Sequence, residues 1–345
     1  MGFDSRAARI TWTAVLVLLA LWLVYLIRST LFVFVLAVLF AYLLAPLVNL
    51  LDRFLPASKT RTRTPALALA YVIVVGLVVL AGILIGSRVV VQATELAQRF
   101  PAMLARWEAS FQSRVPDSLK TELMVRFNGL VAALPEYGLR FLALMGNLIY
   151  VVIVPVLAFL CLKDAALARD HVLSLVDPGP RRILLNDVLG DIHLMLAHYM
   201  RALVLLSATA FAAYSIFLTV MGAPYAILLA VLAGALEFIP MIGPLAGGAI
   251  VLAIGGAAGG HPLAVLIFIV AFRMFQDYVV SPHLMGQGVQ LHPLLVLFGV
   301  FAGAELAGVA GTFLSVPVLA LVRVLYLRMC HTRQQARAAQ AGVVG

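Results

Sequence analysis

The residues best suited to chemistry interrupt one long apolar run. Glu237 and the seven residues after it, Phe-Ile-Pro-Met-Ile-Gly-Pro, stand inside an apolar stretch that extends from Tyr225 to Gly260. A carboxylate there must be solvated or paired, and the two prolines break the helix and free backbone groups that lipid cannot satisfy. Such breaks survive where other helices or a water-filled cavity cover them, as in the binding sites of transporters. We therefore predict that four residues of this segment line a substrate or ion pathway: Glu237, Pro240, Gly243 and Pro244.

Glu237 has two interpretations. In a partly dehydrated site a glutamate can take up and release a proton near physiological pH, so it could couple proton binding to the binding of a substrate or a cation. Alternatively, its carboxylate caps or pairs a helix end and holds the broken helix together.

Charge almost vanishes in the C-terminal third of the chain. Residues 202–322 contain four charged side chains: Glu237, Arg273, Asp277 and Glu305. Asp277 follows Arg273 by one helical turn, a spacing that favours an internal ion pair. This pair could contact the substrate or ion directly, or it could lock two helices together as a gate. Glu305 is a further candidate for the pathway or for an interface.

A polar cluster lies at and beyond the end of the apolar run of residues 262–280. Gln276, Pro282, His292 and Pro293 belong to it, and we predict that they line the same pathway. His292, placed before a proline, could cap or steer a turn. The histidines lack a spacing typical of metal ligands, so we predict no metal site.

The composition is that of an integral helical membrane protein. The 345 residues are 64% hydrophobic and 11% charged, which excludes an ordinary soluble domain. At roughly 20 apolar residues for each span, the chain has room for about eight crossings. We predict an all-α fold of about eight transmembrane helices, with a Pro/Gly-broken helix, a re-entrant segment and amphipathic surface helices.

The predicted spans divide the chain into five parts. Residues 1–91 hold three transmembrane helices, and residues 92–146 form an extracytoplasmic amphipathic helical module. Residues 147–201 hold the fourth span and a cytoplasmic amphipathic connector, which either packs on the membrane surface or acts as a lever or gate. Residues 202–328 form a transport core, and residues 329–345 form a basic cytoplasmic tail. The core is predicted to contain spans at 202–221, 225–254 with its break, 262–280 and 306–326, and a re-entrant hairpin at 294–304.

Basic residues indicate the orientation. The net charge is +9, but Lys and Arg concentrate at the ends of apolar runs rather than on one folded face. This distribution predicts contact with anionic membrane lipid and no nucleic-acid partner. Short basic loops are retained in the cytoplasm, so we predict that both termini are cytoplasmic.

Motifs of catalysis are missing from the sequence. It contains no glycine-rich phosphate loop, no His-Glu-x-x-His and no Gly-x-Ser-x-Gly, which are the patterns of ATP-driven pumps, zinc peptidases and serine hydrolases. We therefore predict a protein that is not an enzyme and that uses no cofactor.

The C-terminal half resembles a known family. The segments that carry the resemblance are Gly222-Ala223-Pro224-Tyr225, Glu237 to Pro244, Gln276 to Pro282, Leu291-His292-Pro293-Leu294, and Gly308 to Pro317. In this order they are similar to the AI-2E family of bacterial membrane transporters. The resemblance is dense over residues 200–325, whereas the N-terminal half fits in layout more than in motif.

The resemblance implies a carrier-like protein of eight helices in the bacterial inner membrane, with cytoplasmic termini and a tendency to form homo-oligomers. Family members are associated with export of the signal autoinducer-2, and others with exchange of sodium or lithium for protons. The chain departs from the family at the seventh predicted span, residues 262–280, where a Glu-Asp-Asn triplet is common. Gln276 and Tyr278 replace its first and third residues here, which removes one ionisable group and shifts the expected coupling role towards Glu237.

Three hypotheses follow for the function. The first is a secondary transporter that exports a small polar metabolite or signal by alternating access. The second is a sodium or lithium/proton antiporter in which Glu237 and Asp277 bind the ions. The third is a gated pore, whose flux would neither saturate nor run uphill.

Overall fold

The computed structural model describes residues 5–54, 64–114, 148–256, 261–280 and 291–342. Within these ranges the helices are α1 Ser5–Leu26, α2 Arg28–Phe54, α3 Thr64–Ala81, α4 Ser87–Arg114, α5 Leu148–Lys163, α6 Ala165–Ser174, α7 Pro180–Val220, α8 Ala226–Leu236, α9 Ile242–Ile250, α10 Pro262–Phe275 and α11 Pro293–Gly342. Wider π-helical turns follow α3, α9 and α10, at Gly82–Gly86, Val251–Gly256 and Gln276–Val280. Residues 115–147, which include most of the predicted extracytoplasmic module, lie outside the described residues.

The apolar helices confirm the predicted fold class, an all-α membrane protein. By length and composition, five helical stretches of the described ranges could cross a membrane: Arg28–Phe54, Pro65–Met103, Pro180–Val220, Pro262–Val280 and Pro293–Arg328, the last of which is interrupted at Ala307 and Gly308. Four shorter apolar helices accompany them: Thr11–Leu26, Val152–Lys163, Ala226–Leu236 and Ile242–Gly256. The number of eight crossings stays a prediction.

Helix α7 includes both a predicted surface connector and a predicted membrane span. The predicted connector up to residue 201 and the predicted span from residue 202 form one uninterrupted helix of 41 residues. At about 1.5 Å per residue it is about 62 Å long, twice the thickness of a bilayer's hydrocarbon core. It ends in a glycine-dependent motif, in which Gly222 has φ 64° and the Ala223 N–H donates to the Leu218 carbonyl at 2.9 Å. This motif reverses the chain and packs α8 back against α7.

The third predicted span continues beyond its predicted end at residue 91. The helix passes through the π-helical turn into α4, whose residues Val89, Ala93, Leu96 and Met103 pack against the apolar core around α7 and α8. Gln92 Oε1 accepts a hydrogen bond from the Leu228 backbone N–H at 2.9 Å. The first N–H groups of a helix have no partner within it, so α4 supplies the cap that α8 lacks.

We expect Gln92→Leu to destabilise the protein by about 1 kcal/mol, because it removes the acceptor and leaves the Leu228 N–H without it in apolar surroundings. Thermal unfolding in detergent measures the effect. Gln98→Leu is the matched control, because Gln98 is exposed on the same helix and should change the stability by less than about 0.5 kcal/mol. Equal losses in the two variants would contradict the capping role.

The predicted broken span over residues 225–254 is two helices packed side by side. A methyl group added at Gly247 of α9 would lie 3.3 Å from the Ala233 Cα of α8, and one at Gly255 would lie 3.2 Å from the Leu229 side chain. These contacts require an antiparallel arrangement, which we call the first hairpin. Its first arm, α8, has 11 residues and is about 16 Å long, so it spans about half of a hydrocarbon core of ~30 Å. The predicted break at Glu237 to Pro244 is therefore confirmed, and the helices on its two sides lie side by side rather than in line.

A second hairpin lies within α11. Ala307 and Gly308 have non-helical backbone angles, with φ 59° at Gly308, and the chain reverses there. Gly303 and Gly311 meet backbone to backbone across the reversal, and a methyl group at Gly303 would overlap the Gly311 carbonyl. The short segment predicted as a re-entrant hairpin is thus the first arm, residues 293–306, and the predicted last span is the second arm, which begins at residue 309.

The two hairpins lie along α7 in opposite directions. The first hairpin begins beside the C-terminal end of α7 and its turn reaches towards residue 203, since the Ser207 hydroxyl donates to the Gly234 carbonyl at 2.7 Å. The second arm of the second hairpin runs the other way, because Phe313 packs near Leu203 whereas Arg328 pairs with Asp187 and Asp191. The closed ends therefore pass each other beside the middle of α7.

Candidate functional site

The turn of the first hairpin is held by an unusual backbone geometry. Met241 has φ 63° and ψ −51°, and the Ile242 N–H donates to the Pro240 carbonyl at 2.7 Å. These features define a γ-turn with positive φ, which is rare and strained for a side chain larger than glycine. Gly243 follows, and a Cβ at this position would overlap the carbonyl of Leu236. The reversal thus depends on a glycine at position 243.

Glu237 lies at this turn and is buried, with 8% of its surface exposed. Gln276, at the start of the π-helical turn after α10, is 1% exposed, and its side-chain amide lies close to the Glu237 carboxylate. The Gln276 Nε2 also donates to the Leu206 carbonyl of α7 at 3.3 Å. The Gln276 amide is therefore bonded to α7 and lies beside the turn of the first hairpin.

The predicted ion pair between Arg273 and Asp277 is confirmed. Their side chains meet at 2.8 and 2.9 Å, and both are close enough to Glu237 to interact with it electrostatically. Each side chain of the pair is a little under half exposed. Tyr214 of α7 packs edge-on against Phe272 of α10, with ring centroids 5.5 Å apart. The structure thus brings Glu237, Gln276, Arg273 and Asp277 into one neighbourhood between the first hairpin, α7 and α10.

The other predicted site residues occupy different places. Pro240 supplies the acceptor of the γ-turn, and Pro244 lies in the first turn of α9. His292 caps α11, because its Nδ1 accepts a hydrogen bond from the Leu294 N–H at 3.3 Å, and Pro293 is the first residue of that helix. Glu305 is exposed near the closed end of the second hairpin. Pro282 lies outside the described residues.

The electrostatics at Glu237 favour a positive partner. The residue is the C-cap of α8, where the helix carbonyls give a partial negative charge. A buried carboxylate at that end is stabilised by a proton, a cation or hydrogen-bond donors. Among the described residues, no group of three or more His, Cys, Asp and Glu side chains could hold a metal ion.

Several residues of this neighbourhood were missed by sequence reasoning. Ser207 and Gln92 anchor the first hairpin through single hydrogen bonds, and neither belongs to a recognisable motif. Phe238 at the turn faces Phe313 of the second hairpin, with ring centroids 6.3 Å apart. The sequence carries no signal for these contacts, because they depend on how distant helices pack.

The segments that build both hairpins are those that carry the family resemblance, and the comparison with known families extends it to the whole chain. The model of the AI-2E family transporter matches residues 13–330. The chain belongs to the AI-2E transporter family. Membership in this family supports a multi-pass membrane protein with a transport role.

Two relatives match most of this chain at low identity, and a third matches about a third of it. "Putative transport protein YrrI" of Bacillus subtilis is 24% identical over 329 residues, which cover 90% of each chain. "Putative transport protein YueF" of the same organism is 24% identical over 316 residues, or 86% of this chain and 84% of that protein. A Mycobacterium tuberculosis relative, "Putative transport protein MT0215", is 37% identical over 124 residues, or 35% of this chain and 34% of that protein.

Proposed function

We propose that this chain is a secondary transporter of the bacterial inner membrane that exports a small polar metabolite or signalling molecule, such as autoinducer-2, by alternating access. The pathway passes between the closed ends of the two hairpins, beside Glu237. Both termini are cytoplasmic, and the protein works as a homo-oligomer in contact with membrane lipid. Transport, rather than catalysis, is its activity.

One observation carries this proposal. A carboxylate is buried at the closed end of a hairpin whose first arm is too short to cross the bilayer, and it lies beside the Gln276 amide that follows α10. Ionisable groups and irregular backbone inside a membrane are costly and typically mark transport pathways. The opposite directions of the two hairpins support alternating access, because movement of either closed end would uncover the site from one side.

A sodium or lithium/proton antiporter is the second candidate. The position of Glu237 at the negative end of α8 supports it, because a proton and a monovalent cation would compete for the same carboxylate. In this case Asp277 is the second ion-binding group. The Arg273 side chain, which pairs with Asp277, would have to release the Asp277 carboxylate during the transport cycle.

Transport by purified protein in liposomes tests the proposal. In the first assay, autoinducer-2 is added outside, and its uptake into protein-containing and empty liposomes is compared under an imposed proton gradient. In the second assay, a trapped pH dye records proton movement when sodium or lithium is added. Saturable, gradient-driven uptake supports the exporter. Proton flux that depends on the cation, without uptake of the signal, supports the antiporter. Failure of both, from correctly folded protein, would overturn the proposal.

Gln276→Glu tests the antiporter directly, because it restores the acidic residue that is common in the family. Two buried carboxylates side by side bind a shared proton or cation. If the antiporter reading is correct, we expect cation-dependent proton flux to rise several-fold in the liposome assay, whereas Gln98→Glu on the exposed face of α4 should leave it unchanged. An unaltered flux in Gln276→Glu would count against ion exchange at this site.

A further inference from the structure

The hydroxyl of Tyr199, beside the closed ends of the two hairpins, has no role in the site described above. Tyr199 of α7 is 7% exposed, and its hydroxyl, like those of Tyr71 and Ser215, is buried without a hydrogen-bond partner among the described residues; of the three, we single out Tyr199 because it packs against both hairpins. Burying a hydroxyl without a partner is unfavourable by roughly the strength of a lost hydrogen bond. Groups of this kind are rare in native proteins and need an explanation.

The surroundings of Tyr199 are aromatic and apolar. Leu39 of α2 and Met200 and Leu203 of α7 form a buried cluster with it, and the turn of the first hairpin and the second arm of the second pack against this cluster through Phe238 and Phe313. Phe238 directly follows Glu237, so the cluster adjoins the site described above. The Phe238 and Phe313 rings face each other between the two hairpins, with centroids 6.3 Å apart.

Two hydroxyl groups of the second hairpin near this cluster are satisfied locally. Thr312 Oγ1 donates to the Val309 carbonyl at 2.6 Å, and Ser315 Oγ donates to the Thr312 carbonyl at 2.7 Å. A tyrosine hydroxyl stands too far from its own backbone to do the same. Tyr199 also shares a helix face with Leu206, seven residues on, whose carbonyl accepts from Gln276. It is therefore directed to the same side of α7 as the Glu237 neighbourhood.

We propose that the Tyr199 hydroxyl hydrogen-bonds the transported solute, and that this solute is a small neutral molecule with hydroxyl or carbonyl groups. The inference rests on the proposed function and extends it to a second subsite. A single phenol in an apolar, aromatic lining can orient a neutral polar solute. It cannot replace the several oxygen ligands that a dehydrated cation requires. The solute enters the subsite when the Phe238 and Phe313 rings separate.

Tyr199→Phe tests the subsite, because it removes only the hydroxyl oxygen. We expect the KM for uptake of autoinducer-2 or D-ribose into liposomes to rise roughly three- to tenfold, as for the loss of one neutral hydrogen bond. The melting temperature in detergent should stay the same or rise, because an unsatisfied hydroxyl is removed. Cation-dependent proton flux should not change. Tyr71→Phe is the matched control, since Tyr71 packs against Phe159 in a different apolar cluster and should alter neither uptake nor its KM.

Each result decides the question. A lower melting temperature with an unchanged KM would show that the hydroxyl serves the fold through bound water, and it would overturn the subsite. An unchanged KM and an unchanged melting temperature would overturn it as well. Absence of uptake of both solutes by the wild-type protein would instead remove the proposed export function, and the subsite with it. In that outcome the pH-dye assay still reports on the antiporter, so the two failures are distinguishable.

Discussion

Glu237→Gln is expected to abolish transport while leaving the protein folded. The amide has nearly the shape of the carboxylate and can stay beside Gln276, but it carries no negative charge and takes up no proton. Hydrogen bonds to a charged group contribute about 1.5–3 kcal/mol, and 1.4 kcal/mol corresponds to a factor of ten. We therefore expect the rate of transport in liposomes to fall by at least roughly tenfold, for the solute and for protons alike.

Glu305→Gln is the control for this prediction. It makes the same chemical change in the transport core, but Glu305 is exposed near the closed end of the second hairpin. We expect its transport rate to stay within about twofold of the wild-type rate, because substitutions at exposed sites have small effects. A Glu237→Gln variant that transports normally would show that the carboxylate only holds the turn.

Gly243→Ala is expected to have the largest effect on stability. Its Cβ would overlap the backbone carbonyl of Leu236, and a backbone atom cannot move aside as a side chain can. The first hairpin would have to open, at a loss of roughly 3 kcal/mol. The yield of folded protein and the melting temperature in detergent measure this loss.

Gly190→Ala provides the comparison. Gly190 lies inside α7, and a methyl group there would contact nothing within 4 Å. Alanine is a better helix former than glycine by about 1 kcal/mol, so this variant should be slightly more stable than the wild type. A Gly243→Ala protein as stable as Gly190→Ala would contradict the hairpin geometry.

The elements that depend on local sequence were predicted well. The break at Glu237 to Pro244 follows from two prolines and a glycine in an apolar run, and the ion pair between Arg273 and Asp277 follows from a spacing of one helical turn. The cap at His292 follows from its place before Pro293. In each case the physical cause lies within a few residues of the feature.

The elements that depend on packing between distant helices were not predicted from the sequence. Proline and glycine interrupt a helix, but they do not determine whether the chain bends or reverses; the reversal at Gly243 depends on its contact with Leu236 and on the cover supplied by α7. Helix α7 continues through residue 201 because a helix has no reason to end where the polarity of one face changes. The isolation of the Tyr199 hydroxyl depends on side chains from α2 and both hairpins, which no local pattern brings together.

The ion pairs of Arg328 have a mechanical consequence. Its side chain meets Asp191 at 2.7 Å and Asp187 at 3.3 Å, and these contacts fix the second arm of the second hairpin to the first few turns of α7. Some fifteen residues closer to the reversal, Phe313 packs against the apolar cluster around Tyr199. The second arm is therefore fixed to α7 near Arg328 and can move more freely at its other end. Any bending of it moves the tip at Ala307 and Gly308 the most, and displacement at the tip would separate the two phenylalanine rings while the ion pairs of Arg328 stay in place.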